Sequence, residues 1–167
     1  MAVVTTKSTQ ISNRDAVPSV LNSPNAGAAG TFFSKFGKVA SVSGDSANSV
    51  YRCLSVPSNA RISSVKQWSA ALGGSAAADV GVYYNTKDGG AVIDADFFGS
   101  AVSLVSAVNG TEISGESGVN TVAKREQPLW QAVGLTSDPK TTFDICFTLT
   151  AASAANADAG LNVEGVY

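Results

Sequence analysis

The strictest alternation in the chain lies at residues 142–150, where Phe143, Ile145, Phe147 and Leu149 are separated by Asp144, Cys146 and Thr148. A period of two puts successive side chains on opposite faces of a strand, so this run predicts a β-strand with one core face and one polar or half-exposed face. Residues 50–56 are rich in strand formers and stop at Pro57-Ser58-Asn59, a turn-forming cluster. A second strand is expected directly after it, at residues 61–68, where Ile62, Val65 and Trp68 alternate imperfectly with polar residues, a pattern that a β-bulge explains. Ala78, Val80, Val82 and Tyr84 mark another strand that runs into a tight turn over residues 85–90. The C-terminal run, residues 161–167, again alternates, which implies an end tied into a sheet.

Two stretches read less simply. At residues 91–107, Val92 and Ile93 favour a strand, while Asp94 or Asp96 could cap a short helix running through Phe98, Ala101 and Leu104. Asn109-Gly110 reads as a turn, and residues 111–120 as a loop or weak strand. Residues 127–134 suit one or two helical turns, with Pro128 at the start and Gly134 at the C-terminal cap. Many short strands with two brief helical candidates predict an all-β fold, an antiparallel β-sandwich of jelly-roll type.

The leading segment differs. Residues 1–37 are rich in Ser, Thr, Asn, Ala and Gly, are broken by Pro18 and Pro24, and hold no sustained period. They also carry Val3, Val4, Ile11, Val17, Val20 and Leu21, apolar side chains that need burial. This is the signature of an extended N-terminal arm that orders on a neighbour, preceding a β-sandwich domain at residues 38–167. Phe32, Phe33 and Phe36 close the arm; they are expected to make the first core contact of the domain and are candidates for partner contact.

Composition narrows the chemistry. The 167 residues include no histidine, two cysteines and 14% charged side chains, with 11 basic and 13 acidic residues. General bases, transition-metal sites and activated nucleophiles mostly use His or clustered Cys, so no catalytic, cofactor or metal site is expected and the chain is read as a non-enzyme. A domain this size can bury roughly 70% of its unfolded surface without disulfide or metal support. The charge balance, without a basic run, argues against nucleic acid, and no apolar run reaches membrane-spanning length. The first residues lack a secretory apolar stretch, so a soluble protein made in a cytosol is expected. Cys53 and Cys146 sit in strand-like runs and read as buried thiols more readily than as a disulfide.

Motifs that could carry chemistry have simpler readings. Asp88, Asp94 and Asp96 lack calcium-loop spacing and suit turn and capping roles. Glu112 with Glu116, or Asp79 with Asp94, could form an acid and base pair, but any chain with this many carboxylates offers such pairs. Leu72-Gly73-Gly74-Ser75 lacks the Lys-Ser/Thr ending of a phosphate loop. Ser63 with Lys66 and Ser137 with Lys140 form Ser-x-x-Lys pairs off any helix. Asn109-Gly110-Thr111 matches a glycosylation acceptor but reads as a turn. Trp68 is expected in the core, whereas Trp130, after Pro128, suits either the core or an interface, and either indole could stack on a sugar.

Three segments carry a resemblance: residues 56–62 (Val-Pro-Ser-Asn-Ala-Arg-Ile), residues 79–84 leading into 89–98, and residues 135–140 (Leu-Thr-Ser-Asp-Pro-Lys). From about Val50 onward the chain resembles a family of small tailed-bacteriophage virion proteins that accompany the major capsid protein as decoration or cement subunits. The shared motifs mark strands and turns and transfer no catalytic residue. The resemblance implies a virion protein, synthesised in the bacterial host cytoplasm, that binds the major capsid protein shell and stabilises it as a dimer or trimer. Phe32, Phe33, Phe36 and Trp130 are the candidate contacts. A head-tail junction or tail component, and a carbohydrate-binding virion module, are the alternatives.

Overall fold

The computed structural model describes residues 16–18 and 31–167, so most of the expected arm lies outside the described residues. Eight strands are found among them: β1 (Phe32–Ser41), β2 (Val50–Pro57), β3 (Arg61–Ser69), β4 (Ala77–Tyr84), β5 (Val92–Ser103), β6 (Val108–Glu112), β7 (Thr142–Ala151) and β8 (Ala157–Val166). One short α-helix, α1 (Leu129–Ala132), lies between β6 and β7.

The strands form two four-stranded sheets, a front sheet ordered β1-β8-β3-β6 and a back sheet ordered β2-β7-β4-β5. Strand β1 pairs antiparallel with β8, β2 with β7, β3 with β6 and β4 with β5. First with last, second with second-last and so inward is the pairing of a long hairpin wound into two layers, which defines a jelly roll. The all-β sandwich read from the alternation is therefore the fold.

The core lies between the layers. Ile62, Val65, Leu161 and Val163 enter from the front sheet; Val80, Val82, Phe143, Ile145, Phe147 and Leu149 enter from the back. The fully buried Phe97, Phe98, Phe143 and Phe147 each contribute roughly 1.5–3 kcal/mol of apolar burial. Along one side the sheets nearly touch: a Cβ on Gly37 would stand 1.9 Å from the Cys53 carbonyl oxygen. Lys35 Nζ donates to the Ser55 carbonyl across the same seam at 3.1 Å.

Several expectations change. Strand β1 starts at Phe32, so the boundary at residues 37/38 falls inside a continuous strand paired throughout with β8. Residues 92–103 form a strand, not a helix capped by Asp94 or Asp96. The β4 backbone supplies a ladder of partners for it, and successive register breaks let both Phe97 and Phe98 turn inward, their rings 4.9 Å apart and edge to face. Asn109-Gly110 is no free turn; Gly110 sits inside β6 at φ 77° as an extra residue opposite Gln67 and Trp68. The outer face of β7 is also more covered than alternation suggested, since Asp144 and Cys146 are buried.

The turn and helix readings hold. After β4 the chain makes a 3-10 turn (Thr86–Asp88) whose Asn85 side chain accepts from the Asp88 N–H, closed by Gly89 in the left-handed region. Pro128 caps α1, and Gly134, at φ 88°, ends it. The helix is held against the β2–β3 turn by the Leu129 and Trp130 N–H groups, which donate to the carbonyls of Ala60 and Ser58 at 2.7 and 2.9 Å. Ser58 Oγ also donates to Asp138 at 2.6 Å. Two of the three segments that carry the resemblance, residues 56–62 and 135–140, thus meet in space.

Candidate functional site

Five of the carboxylates offered by the sequence as chemistry, Asp79, Asp88, Asp94, Glu112 and Glu116, accept from a backbone or hydroxyl donor, and Asp96 contacts Asp94. Asp79 accepts from the Ala101 N–H at 2.7 Å, at a residue held at positive φ. Glu116 accepts from the Ser100 N–H at 2.7 Å. Glu112 receives the Ser64 and Ser114 hydroxyls and the N–H groups of Ser114 and Val65. Burial pushes the Glu112 carboxyl up, but those hydrogen bonds outweigh it and hold it below its ordinary value. Asp88 accepts from Thr141 and Asn85. Asp94 is raised, first by burial and then by its contact with Asp96. Among the described residues no group of three acidic or sulfur ligands is placed to hold a metal ion.

The thiols are equally quiet. Cys53 and Cys146 are free, and burial pushes both up to about 12, leaving them protonated at neutral pH. Ser63, of the first Ser-x-x-Lys pair, donates to the Glu164 carbonyl across the sheet. In the second pair, Asp138 accepts from the Lys140 N–H, which closes a turn.

The outer face of the front sheet is built differently. The register places Phe36 opposite Asn162 and Lys66 in one row, and Lys38 opposite Gly160 and Trp68 in the next. Phe36 is 57% exposed and Trp68 40%. Their rings stand over glycines: a Cβ on Gly160 would lie 3.0 Å from Phe36 Cζ, and one on Gly110 would lie 2.9 Å from Trp68 Cζ2. The missing methyl groups make a low floor and leave the aromatics standing as a ridge.

A hollow opens to either side of that ridge. One, of about 300 Å³, is lined by Phe36, Trp68, Lys38, Asp158 and Asn109. The other, of about 440 Å³, is lined by Phe36, Trp68, Lys66, Glu164 and Asn162. Lys38 pairs with Asp158 at 2.5 Å and Lys66 with Glu164 at 3.8 Å. The face therefore joins exposed aromatic area to balanced charge.

The four candidate contact residues part company. Phe33 is buried and packs on Tyr167, ring centroids 5.7 Å apart, so it makes the expected core contact. Phe32 and Phe36 are exposed on the other face of β1. Trp130 is half-buried and packs against the core through α1. Trp68, expected inside, is the exposed indole. The cause is the β-bulge at Ser63, which shifts the alternation so that Val65, Gln67 and Ser69 face inward and Trp68 outward. The spacing of three between Ile62 and Val65 carries that signal in the sequence.

No protein-family model matches the chain, and no curated protein matches it. Among solved structures the chain is similar to a chain of the cyanophage Pam1 capsid asymmetric unit, at a TM-score of 0.51 and 16% identity, over 92% of this chain and 95% of that one. At this identity the likeness is one of fold.

Proposed function

We propose that this chain is a structural subunit of a bacteriophage virion, and more finely a decoration or cement subunit that binds the major capsid protein shell and stabilises it. The observation that carries the reading is the capsid likeness: a chain from a phage capsid asymmetric unit shares this fold over more than nine-tenths of both chains. The site chemistry agrees, since Asp79 and Glu116 brace the β5 backbone and the thiols stay protonated. On this reading the protein acts by burying area against its neighbours and not by catalysis. It works as a dimer or trimer in the virion. The part of the expected arm (residues 1–37) that precedes β1 reaches an adjacent subunit, an arrangement in which ordering entropy is offset by the large surface a short segment can cover. Val17, described within that stretch, is 98% exposed and is one apolar side chain such a neighbour would cover.

Sedimentation with particles built from the cognate major capsid protein tests this. Many copies bound per particle, with raised resistance to heat, are expected. Failure to bind shells, with a closed ring formed by the protein alone, would transfer the chain to a head-tail junction or tail. Protease cleavage within residues 1–31 should slow on assembled particles; equal cleavage free and bound would remove the arm from the proposal.

A further inference from the structure

We infer that the ridge of Phe36 and Trp68, with the hollow on each side of it, is a binding site for a neutral oligosaccharide. Three features of the open face point to that class of ligand.

The first is aromatic. A sugar ring presents a patch of C–H groups that packs on an aromatic face, and here two aromatic side chains stand exposed on rigid strands above a glycine floor. The second is the polar lining. Each hollow holds one lysine, one carboxylate and one asparagine: Lys38, Asp158 and Asn109 in the first, Lys66, Glu164 and Asn162 in the second. Hydroxyl groups both donate and accept, so a polyol can receive from the lysine and the amide while donating to the carboxylate. The third is charge. Each hollow carries one positive and one negative side chain, already paired, which favours an uncharged ligand over an anionic or cationic one. A phosphate, a sulfated glycan or an acidic peptide would meet a carboxylate on either side of the ridge.

The duplication fixes the length. Both hollows share the same aromatic pair and repeat the same set of polar groups on the two sides, so the site suits a chain of sugars lying across the ridge. Both hollows are open, so a ligand would lie along the face and not inside an enclosed pocket. The inference does not rest on the shell-binding reading.

The test is a glycan array of neutral and anionic glycans probed with the full chain, followed by calorimetric titration of the neutral hits. Binding of at least one neutral oligosaccharide is expected, with its monosaccharide weaker. Trp68→Ala and Phe36→Ala should each weaken it about tenfold or more while the circular dichroism spectrum is unchanged. In a Trp130→Phe chain, where Trp68 is the remaining indole, the ligand should change tryptophan emission saturably. Any of four results would overturn the site: no neutral glycan bound at millimolar concentration, binding confined to anionic glycans, unchanged affinity in both alanine variants, or an effect of those variants confined to dissociating an oligomer. The last would assign the face to a second copy of the chain.

Discussion

The outer faces of the two sheets solve the same problem in opposite ways. Both belong to antiparallel strands whose inner side chains fill one core. On the back sheet the outer face is closed by its own side chains: Arg52 donates to Asp144 at 2.9 Å and to the carbonyls of Tyr84 and Gly90 at 2.9 and 2.7 Å, and lies over the Tyr83 ring at 5.5 Å. Ser55 completes the carboxylate's shell, and Tyr83 and Thr148 share a hydrogen bond at 2.6 Å. On the front sheet the charged pairs stand at the edges of the hollows and the aromatics are left uncovered. A face that closes on itself is part of the fold's stability, and a face left open at matched charge is available to a ligand.

The contrast breaks most sharply at Asp144. Its side chain is 11% exposed and its partner Arg52 28%, so Asp144→Ala leaves a mostly buried guanidinium without its counter-charge. A loss of about 3 kcal/mol in urea unfolding is expected, with Asp144→Asn losing less because it keeps an acceptor oxygen. A loss no larger than that of an exposed substitution would mean the back face is not closed by this network. Next comes Gly81, which admits the β5 backbone: a Cβ there would stand 2.2 Å from the Asp94 carbonyl oxygen. Gly81→Ala should cost about 2 kcal/mol by pushing β5 away, read by the same unfolding curves and by faster amide exchange in β5.

A smaller pair of effects compares two of the four edge strands, β5 and β6. Asp94 on β5 is raised above 3.8 by burial and by Asp96, with Lys124 acting the other way. Its folded form holds a proton more tightly than its unfolded form, so its contribution falls as pH rises from 3.8 through the raised folded value. Glu112 on β6 is held below 4.5, so the stability it contributes is full above 4.5 and is lost as pH falls through its lower folded value. Asp94 is half-buried and Glu112 exposed, and each effect should stay near or below about 1 kcal/mol. Asp94→Asn should flatten the decline above 3.8 and Glu112→Gln the decline below 4.5 in denaturant midpoints measured across the acid range. Slopes of the same sign in both variants would contradict the opposite environments.

How far these faces were legible depends on how local their causes are. The strand β7 announced itself because four large apolar residues at strict period two have one way to bury together. The hairpin turns at Asn85–Gly90 and the α1 caps were legible for the same reason: Asn, Gly and Pro act on their own backbone. The open face was not. The outward turn of Trp68 depends on one inserted residue, Ser63, and on a second bulge at Gly110 that brings a glycine beneath the ring. The closing of the back face was hidden too, because Arg52 and Asp144 are 92 residues apart and meet only through the β2–β7 pairing. Residues 92–103 misled in part because Asp94 and Asp96 resemble helix caps locally, while the partner that makes them strand is β4.

The smallest expected effect is also the one that isolates the open face. Trp68→Ala and Phe36→Ala remove exposed rings above glycines, so each should change unfolding free energy by no more than about 0.5 kcal/mol, far below Asp144→Ala. Exposed aromatics still cover some neighbouring backbone, and a loss within that bound is consistent with an open ridge. A loss of 2 kcal/mol or more, roughly that of a buried large-to-small change, would mean that the ridge packs as core and that the front face is closed like the back.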